Sequence, residues 1–163
     1  MGADARLGGM TRLVAGDPAP PFELTADDGS VVSSESLAGR RYVLYFYPKD
    51  DTPGCTAQAC GLRDNWSRVT DTGVELFGVS PDSVKSHAKF RAKYYLPYRL
   101  LSDEGHRLAE AYGVWIAKSF AGRNYFGNER STFVIGPDGQ IEQVLAQVKP
   151  ADHVDQLAEA LAA

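Results

Sequence analysis

Residues 41–47 read RYVLYFY, an unbroken run of aromatic and branched aliphatic side chains after the opening arginine. Apolar residues at every position, rather than every second one, mark a strand covered on both faces. Such a strand lies inside a sheet with other elements packed above and below it. Pro48 ends the run, because proline cannot donate to the ladder. The rest of the chain has to be arranged around this strand.

Residues 22–25 and 31–32 flank the turn signal Asp27-Asp28-Gly29 and predict a short N-terminal hairpin. After Pro48 the pattern alternates. A helix is expected over 53–69, stopped near Gly73, then a second buried strand over 74–80 and a helix over 83–95. A short strand at 98–101 and a helix at 104–112, halted by Gly113, follow. Strands at 131–135 and 140–148 are joined by Gly136-Pro137-Asp138-Gly139, a strong hairpin turn. A helix over 152–161 closes the chain. The stretch 115–129 shows no clear period and is expected as a long loop, a class of segment that is often functional. The fold class is therefore α/β, with a mixed central sheet flanked by helices.

At 163 residues and 44% hydrophobic the chain can bury a sizeable core, and 23% charged residues exclude wholesale disorder. Composition is even beyond the N-terminal segment, so residues 16–163 are read as a single domain and 1–15 as a flexible leader. Seventeen basic residues stand against 21 acidic, a net charge of −4 without a basic stripe, which argues against nucleic-acid binding. No run approaches the ~18–20 apolar residues of a membrane span. Two cysteines do not make a secreted disulfide scaffold, and the start lacks the apolar stretch of a secretory signal, so a cytoplasmic protein is expected.

Both cysteines lie where the buried strand feeds a helix, in YPKDDTPGCTAQAC at residues 47–60. Thr52 suits the N-cap and Pro53 the first helical position, which puts Cys55 in the first turn. Free backbone N–H groups and the positive end of the helix dipole favour an anion there, and thiolate is the nucleophilic form of cysteine. Cys55, Ala59, Leu62, Trp66 and Val69 form one apolar stripe, whereas Cys60, Arg63, Asp64 and Ser67 fall on a more polar side. Cys55 should face the core edge and Cys60 the solvent. Five residues along an ideal helix separate Cα atoms by about 8.6 Å, beyond the roughly 4.4–6.8 Å that a disulfide wants. Gly54 and Gly61 flank the interval and weaken the helix, so a redox switch that melts this segment is expected.

Pro48, Thr52 and Cys55 in this spacing resemble the active-site motif of the peroxiredoxins, and YFYPKDDTPGCTAQAC is similar to the PrxQ, or bacterioferritin comigratory protein, subfamily. RSTFVI at 130–135 resembles the family segment that supplies an active-site arginine; GDPAPPFEL and GVSPDS extend the likeness over roughly residues 16–161. The resemblance implies a thioredoxin-like fold that reduces hydrogen peroxide and small alkyl hydroperoxides. It implies Cys55 as the attacking thiolate and Cys60 as the resolving cysteine in an intramolecular disulfide. Thr52 would hydrogen-bond thiolate and peroxide, Arg130 would hold both, Pro48 would shield the site, and thioredoxin or a similar dithiol would reduce the disulfide. Gln58 stands where many members carry Glu, at a position expected to touch no essential group. Thiol chemistry of this kind requires no metal, flavin or haem, and a monomer is expected.

Plainer roles stand beside these. A cysteine is often a small buried hydrophobe; Cys60 can be a passive thiol, Arg130 a surface cation, Thr52 only a cap and Pro48 only a strand terminator. Trp115, Phe120, Tyr125 and Phe126 fit a collar over the site or simple packing equally well, and His87, His106 and His153 fit solvated or core roles. A cysteine protease would need a histidine in motif context, a zinc site more ligands, and a thioredoxin-type oxidoreductase the spacing C-x-x-C. The alternative from another class is a peroxide-sensing switch that uses the same cysteine pair.

Overall fold

The computed structural model describes residues 11–163. Seven strands form one mixed sheet in the order β2-β1-β5-β4-β3-β8-β9: β1 (Glu23–Ala26), β2 (Val31–Ser33), β3 (Tyr42–Phe46), β4 (Glu75–Ser80), β5 (Arg99–Ser102), β8 (Ser131–Ile135) and β9 (Ile141–Leu145). The three strands β3, β4 and β5 run parallel, while β1, β8 and β9 pair antiparallel with their neighbours. The expected α/β class, the mixed sheet and the N-terminal hairpin of β1 and β2 are all present.

Strand β3 is buried at every position. Tyr42, Leu44 and Phe46 face one core, with Phe77, Phe133 and Tyr112. Val43, Tyr45 and, just past the strand, Tyr47 face the other, with Leu76, Leu100 and Val134. The second core is roofed by α1 (Pro53–Asp64), α2 (Trp66–Thr70), α3 (Val84–Tyr94) and α5 (His153–Ala162), and the first by α4 (Arg107–Ala111). Gly78 of β4 makes room for two rings of the second core: a Cβ there would come within 3.0 Å of Tyr45 and Tyr47.

Three differences from the sequence reading have clear causes. The single helix expected over 53–69 breaks at Asn65, whose side chain donates to Gly61 O at 2.9 Å and whose backbone leaves the helical region (φ −121°). A side-chain bond of that sort competes with helix continuation. The stretch 115–129 is not a loop. It forms an antiparallel ribbon of β6 (Trp115–Phe120) and β7 (Arg123–Asn128). Ala121 and Gly122 both have positive φ, 52° and 77°, as a two-residue hairpin turn of the I′ kind needs. Of the leader, residues 1–10 lie outside the described residues, but the part beyond them is tied down: Leu13 N–H donates to Tyr112 O at 3.1 Å and Arg12 pairs with Glu129 at 2.6 Å. Among the described residues no helix is long and apolar enough to cross a membrane.

Candidate active site

Antiparallel pairing of β3 with β8 sets Phe46 opposite Ser131. Arg130 therefore lies just beyond the C-terminal end of β3, where the chain turns into α1. That register brings together two residues 75 positions apart: Arg130 Nη1 donates to Cys55 Sγ at 3.5 Å. Cys55 sits in the first turn of α1 and is 1% exposed. Thr52 precedes the helix in extended geometry and Pro53 opens it. Gly54 lets the guanidinium come close, since a Cβ at that position would lie 3.1 Å from Arg130 Nη2.

The turn before α1 is braced from α3. Asp50 accepts from Tyr47 Oη at 2.6 Å and Ser86 Oγ at 2.8 Å, and its Oδ2 lies 2.7 Å from His87 Nδ1. Asp51, in the left-handed region at φ 57°, is held by Lys93 Nζ at 2.8 Å and Tyr94 Oη at 2.7 Å. Thr52 does not cap α1 with its hydroxyl; Oγ1 donates to Lys49 O at 2.8 Å. Only by leaving that carbonyl can it donate to a thiolate or a peroxide. Pro48 follows the buried Tyr47 and is half-buried.

Cys60 is half-exposed, as the polar side of the helix implied. Both sulfurs are free and both belong to the continuous helix α1, so about five helical residues of rise and turn keep them apart. A thiolate at Cys60 would act electrostatically on Arg63 and Tyr98.

Gln58 overturns its expectation. It is fully buried, and its Oε1 accepts from Arg130 Nη1 at 2.7 Å. Its Nε2 lies 3.0 Å from His153 Nδ1, and His153 Nε2 lies 2.9 Å from Thr132 Oγ1. Burial first, then the charge of Arg130, push His153 down to about 3, so its imidazole is neutral at ordinary pH. Position 58 is three residues from Cys55, a spacing that shares a helix face, and that was the signal available in the sequence. Lys118 of β6 had no such signal. It is half-buried, and burial and Arg130 push its ammonium below the usual lysine range while a Cys55 thiolate pulls the other way. Burial of Glu129 is outweighed by hydrogen bonds from Arg12 and Ser131, which hold its carboxyl below the usual range. That carboxylate is thus engaged away from its neighbour Arg130.

Of the ribbon aromatics, Trp115 packs, stacking on His106 with ring centroids 4.1 Å apart, whereas Phe120, Tyr125 and Phe126 are exposed. His87 and His153 are core residues. Asp50, Asp82 and His87 lie close enough to hold a cation, but Asp82 Oδ2 already accepts from Ser80 Oγ at 2.6 Å and from Asp50 N–H at 2.8 Å.

Comparisons with known proteins assign the chain to a family. The AhpC/TSA family profile matches residues 15–144. The chain belongs to that family and is a thiol peroxidase of the oxidoreductase class. It is 46% identical over 146 residues to Peroxiredoxin Bcp of Escherichia coli K12, covering 90% of this chain and 94% of that protein. Against Peroxiredoxin Bcp of Bacillus subtilis 168 the identity is 44%, with 90% and 93% covered. Two Xanthomonas campestris structures, a peroxiredoxin Q and a bacterioferritin comigratory protein studied for alkyl peroxide reduction, each superpose with TM-score 0.82 at 35% identity, over 94% of this chain and 97% of theirs. The fold is that of the thioredoxin-like peroxiredoxins.

Proposed function

We propose that this peroxidase reduces hydrogen peroxide and small alkyl hydroperoxides through Cys55, resolves the product through Cys60, and is recycled by thioredoxin or a similar dithiol. The observation that carries the proposal is the Arg130 guanidinium donating to the Cys55 sulfur at 3.5 Å. A fixed cation favours the thiolate, and an arginine stays charged while offering several donors. The thiolate attacks one oxygen of the peroxide, the O–O bond breaks, and the leaving oxygen departs with the electron pair and takes up a proton. Donors aimed at that developing charge lower the barrier. Arg130 and, once its hydroxyl turns from Lys49 O, Thr52 are the donors in reach, while Pro48 shields the loop side. Cys55 becomes a sulfenic acid. Cys60 then displaces its hydroxyl as water and forms the disulfide, which requires the turns of α1 between them to unwind. An external dithiol reduces that disulfide by exchange. The alkyl peroxide reduction named for the Xanthomonas relative supports the wider substrate class. We assign the cytoplasm as its compartment, where thiols are kept reduced, and a monomer as its working form.

Steady-state assays with thioredoxin, thioredoxin reductase and NADPH should show many peroxide molecules consumed per chain. Cys55→Ser should be inactive, Cys60→Ser should form no intramolecular disulfide, and Arg130→Ala should slow attack about 10²-fold. Full turnover in Cys55→Ser would overturn the proposal, and a single oxidation per chain with no reductant-driven cycling would make the protein a sensor instead.

A further inference from the structure

Gln58 and His153 take no direct part in the proposed reaction, yet both are fully buried and both point their polar atoms along one line that ends at Arg130. Chemistry dictates the direction of every bond in that line. A guanidinium can only donate, so the amide atom of Gln58 that faces Arg130 Nη1 at 2.7 Å is the oxygen. The amide nitrogen therefore faces His153 Nδ1 at 3.0 Å and donates to it. Nδ1 must then be the bare nitrogen, and the imidazole proton sits on Nε2, donating to Thr132 Oγ1 at 2.9 Å. Thr132 is available because its register opposite Tyr45 turns it toward the same face. Among the described residues, the groups that reach His153 are Gln58 of α1, Thr132 of β8, the Tyr45 ring of β3 at 5.6 Å and, by charge, Arg130; no carboxylate is among these.

We infer that His153, acting through Gln58, is a positioning residue of the peroxidase: it fixes the amide whose oxygen holds Arg130 on the Cys55 sulfur. This inference rests on Cys55 being the attacking thiolate. Nη1 is shared between Gln58 Oε1 at 2.7 Å and Cys55 Sγ at 3.5 Å, so the amide sets where the guanidinium stands. A flipped amide would set donor against donor at Arg130 and acceptor against lone pair at His153. Nδ1 thereby selects the productive orientation. Every member of the line beyond Arg130 is neutral, so the arginine's charge is left for the thiolate. Gln58 also lies between Cys55 and Cys60 on α1, so unwinding that joins the sulfurs must break its bond to His153. The line therefore assists the first chemical step and not the second.

Stopped-flow oxidation of the full chain by hydrogen peroxide separates attack by Cys55 from the slower disulfide step. Gln58→Ala and His153→Ala should each slow attack about tenfold, with the disulfide step unchanged or faster. His153→Asn, whose Oδ1 can accept where Nδ1 did, should recover attack to within about threefold of wild type. Should His153→Ala fail to fold, His153→Leu, which fills the volume without an acceptor, replaces it. Attack within about twofold of wild type in the apolar His153 variant would overturn the inference, whatever Gln58→Ala does, as would equal slowing of both steps. Turnover retained by Cys55→Ser is a separate failure, that of the parent reading.

Discussion

Two histidines are fully buried on the helix-roofed face of the sheet, and their surroundings make them opposites. His87 Nε2 lies 2.9 Å from Leu101 O and donates to it, and its Nδ1 lies 2.7 Å from Asp50 Oδ2. His153 accepts at Nδ1 from the Gln58 amide and holds only the proton it gives to Thr132. Burial is the same and the partner differs: His87 faces a carboxylate, whereas a neutral amide beside an arginine keeps His153 neutral. Each arrangement suits what it supports. The turn at residues 49–52 is braced by charge and hydrogen bonds, whereas Arg130 is held by groups that do not compete for its charge.

Removing the carboxylate should produce the largest effect. Asp50→Ala strands His87, the Tyr47 hydroxyl and Ser86, and should cost about 3–5 kcal/mol in denaturant unfolding; a loss under about 1 kcal/mol would erase the contrast between the two histidines. A pH experiment sharpens it next. His153 sits at about 3 in the folded chain against an ordinary 6.5, so between those values the unfolded chain binds a proton that the folded chain does not. Stability should rise with pH through that window and fall toward acid, by up to about 1.4 kcal/mol per pH unit from this group. In His153→Asn that contribution should vanish, so parallel stability curves for variant and wild type from about pH 4 to 6 would contradict it. The smallest effect comes from Gly54→Ala. The new Cβ presses on Arg130 Nη2, so peroxide attack should slow a few-fold, while helix propensity adds up to about 1 kcal/mol of stability; faster attack would show that the guanidinium has slack.

Much of this was legible in the sequence. The run at 41–47 announced the central strand, Thr52 and Pro53 announced the start of α1, and the turn at 136–139 announced the β8–β9 hairpin. The β6–β7 ribbon was not legible because most of its side chains are at least partly exposed, which removes the alternation that a half-buried strand displays. Its only mark was Gly122 at the turn. In the site, Cys55 was visible from its place in the first helical turn, and Arg130 only through resemblance, because its approach depends on the pairing of β3 with β8. The contact of Gln58 with Arg130 was hidden because the apolar stripe of α1 runs through 55, 59 and 62, and that of Gln58 with His153 because nothing local connects two residues 95 positions apart.

The central claim is that the sulfur at Cys55, under Arg130, is the one that peroxide oxidises. Dimedone trapping with peptide mass mapping, at one equivalent of hydrogen peroxide, tests it most directly. In Cys60→Ser the label should appear once per chain, on Cys55, and more slowly when Arg130→Ala is added. In Cys55→Ser no label should form. An unlabelled Cys55, or a Cys60 labelled as fast in its absence, would contradict the claim.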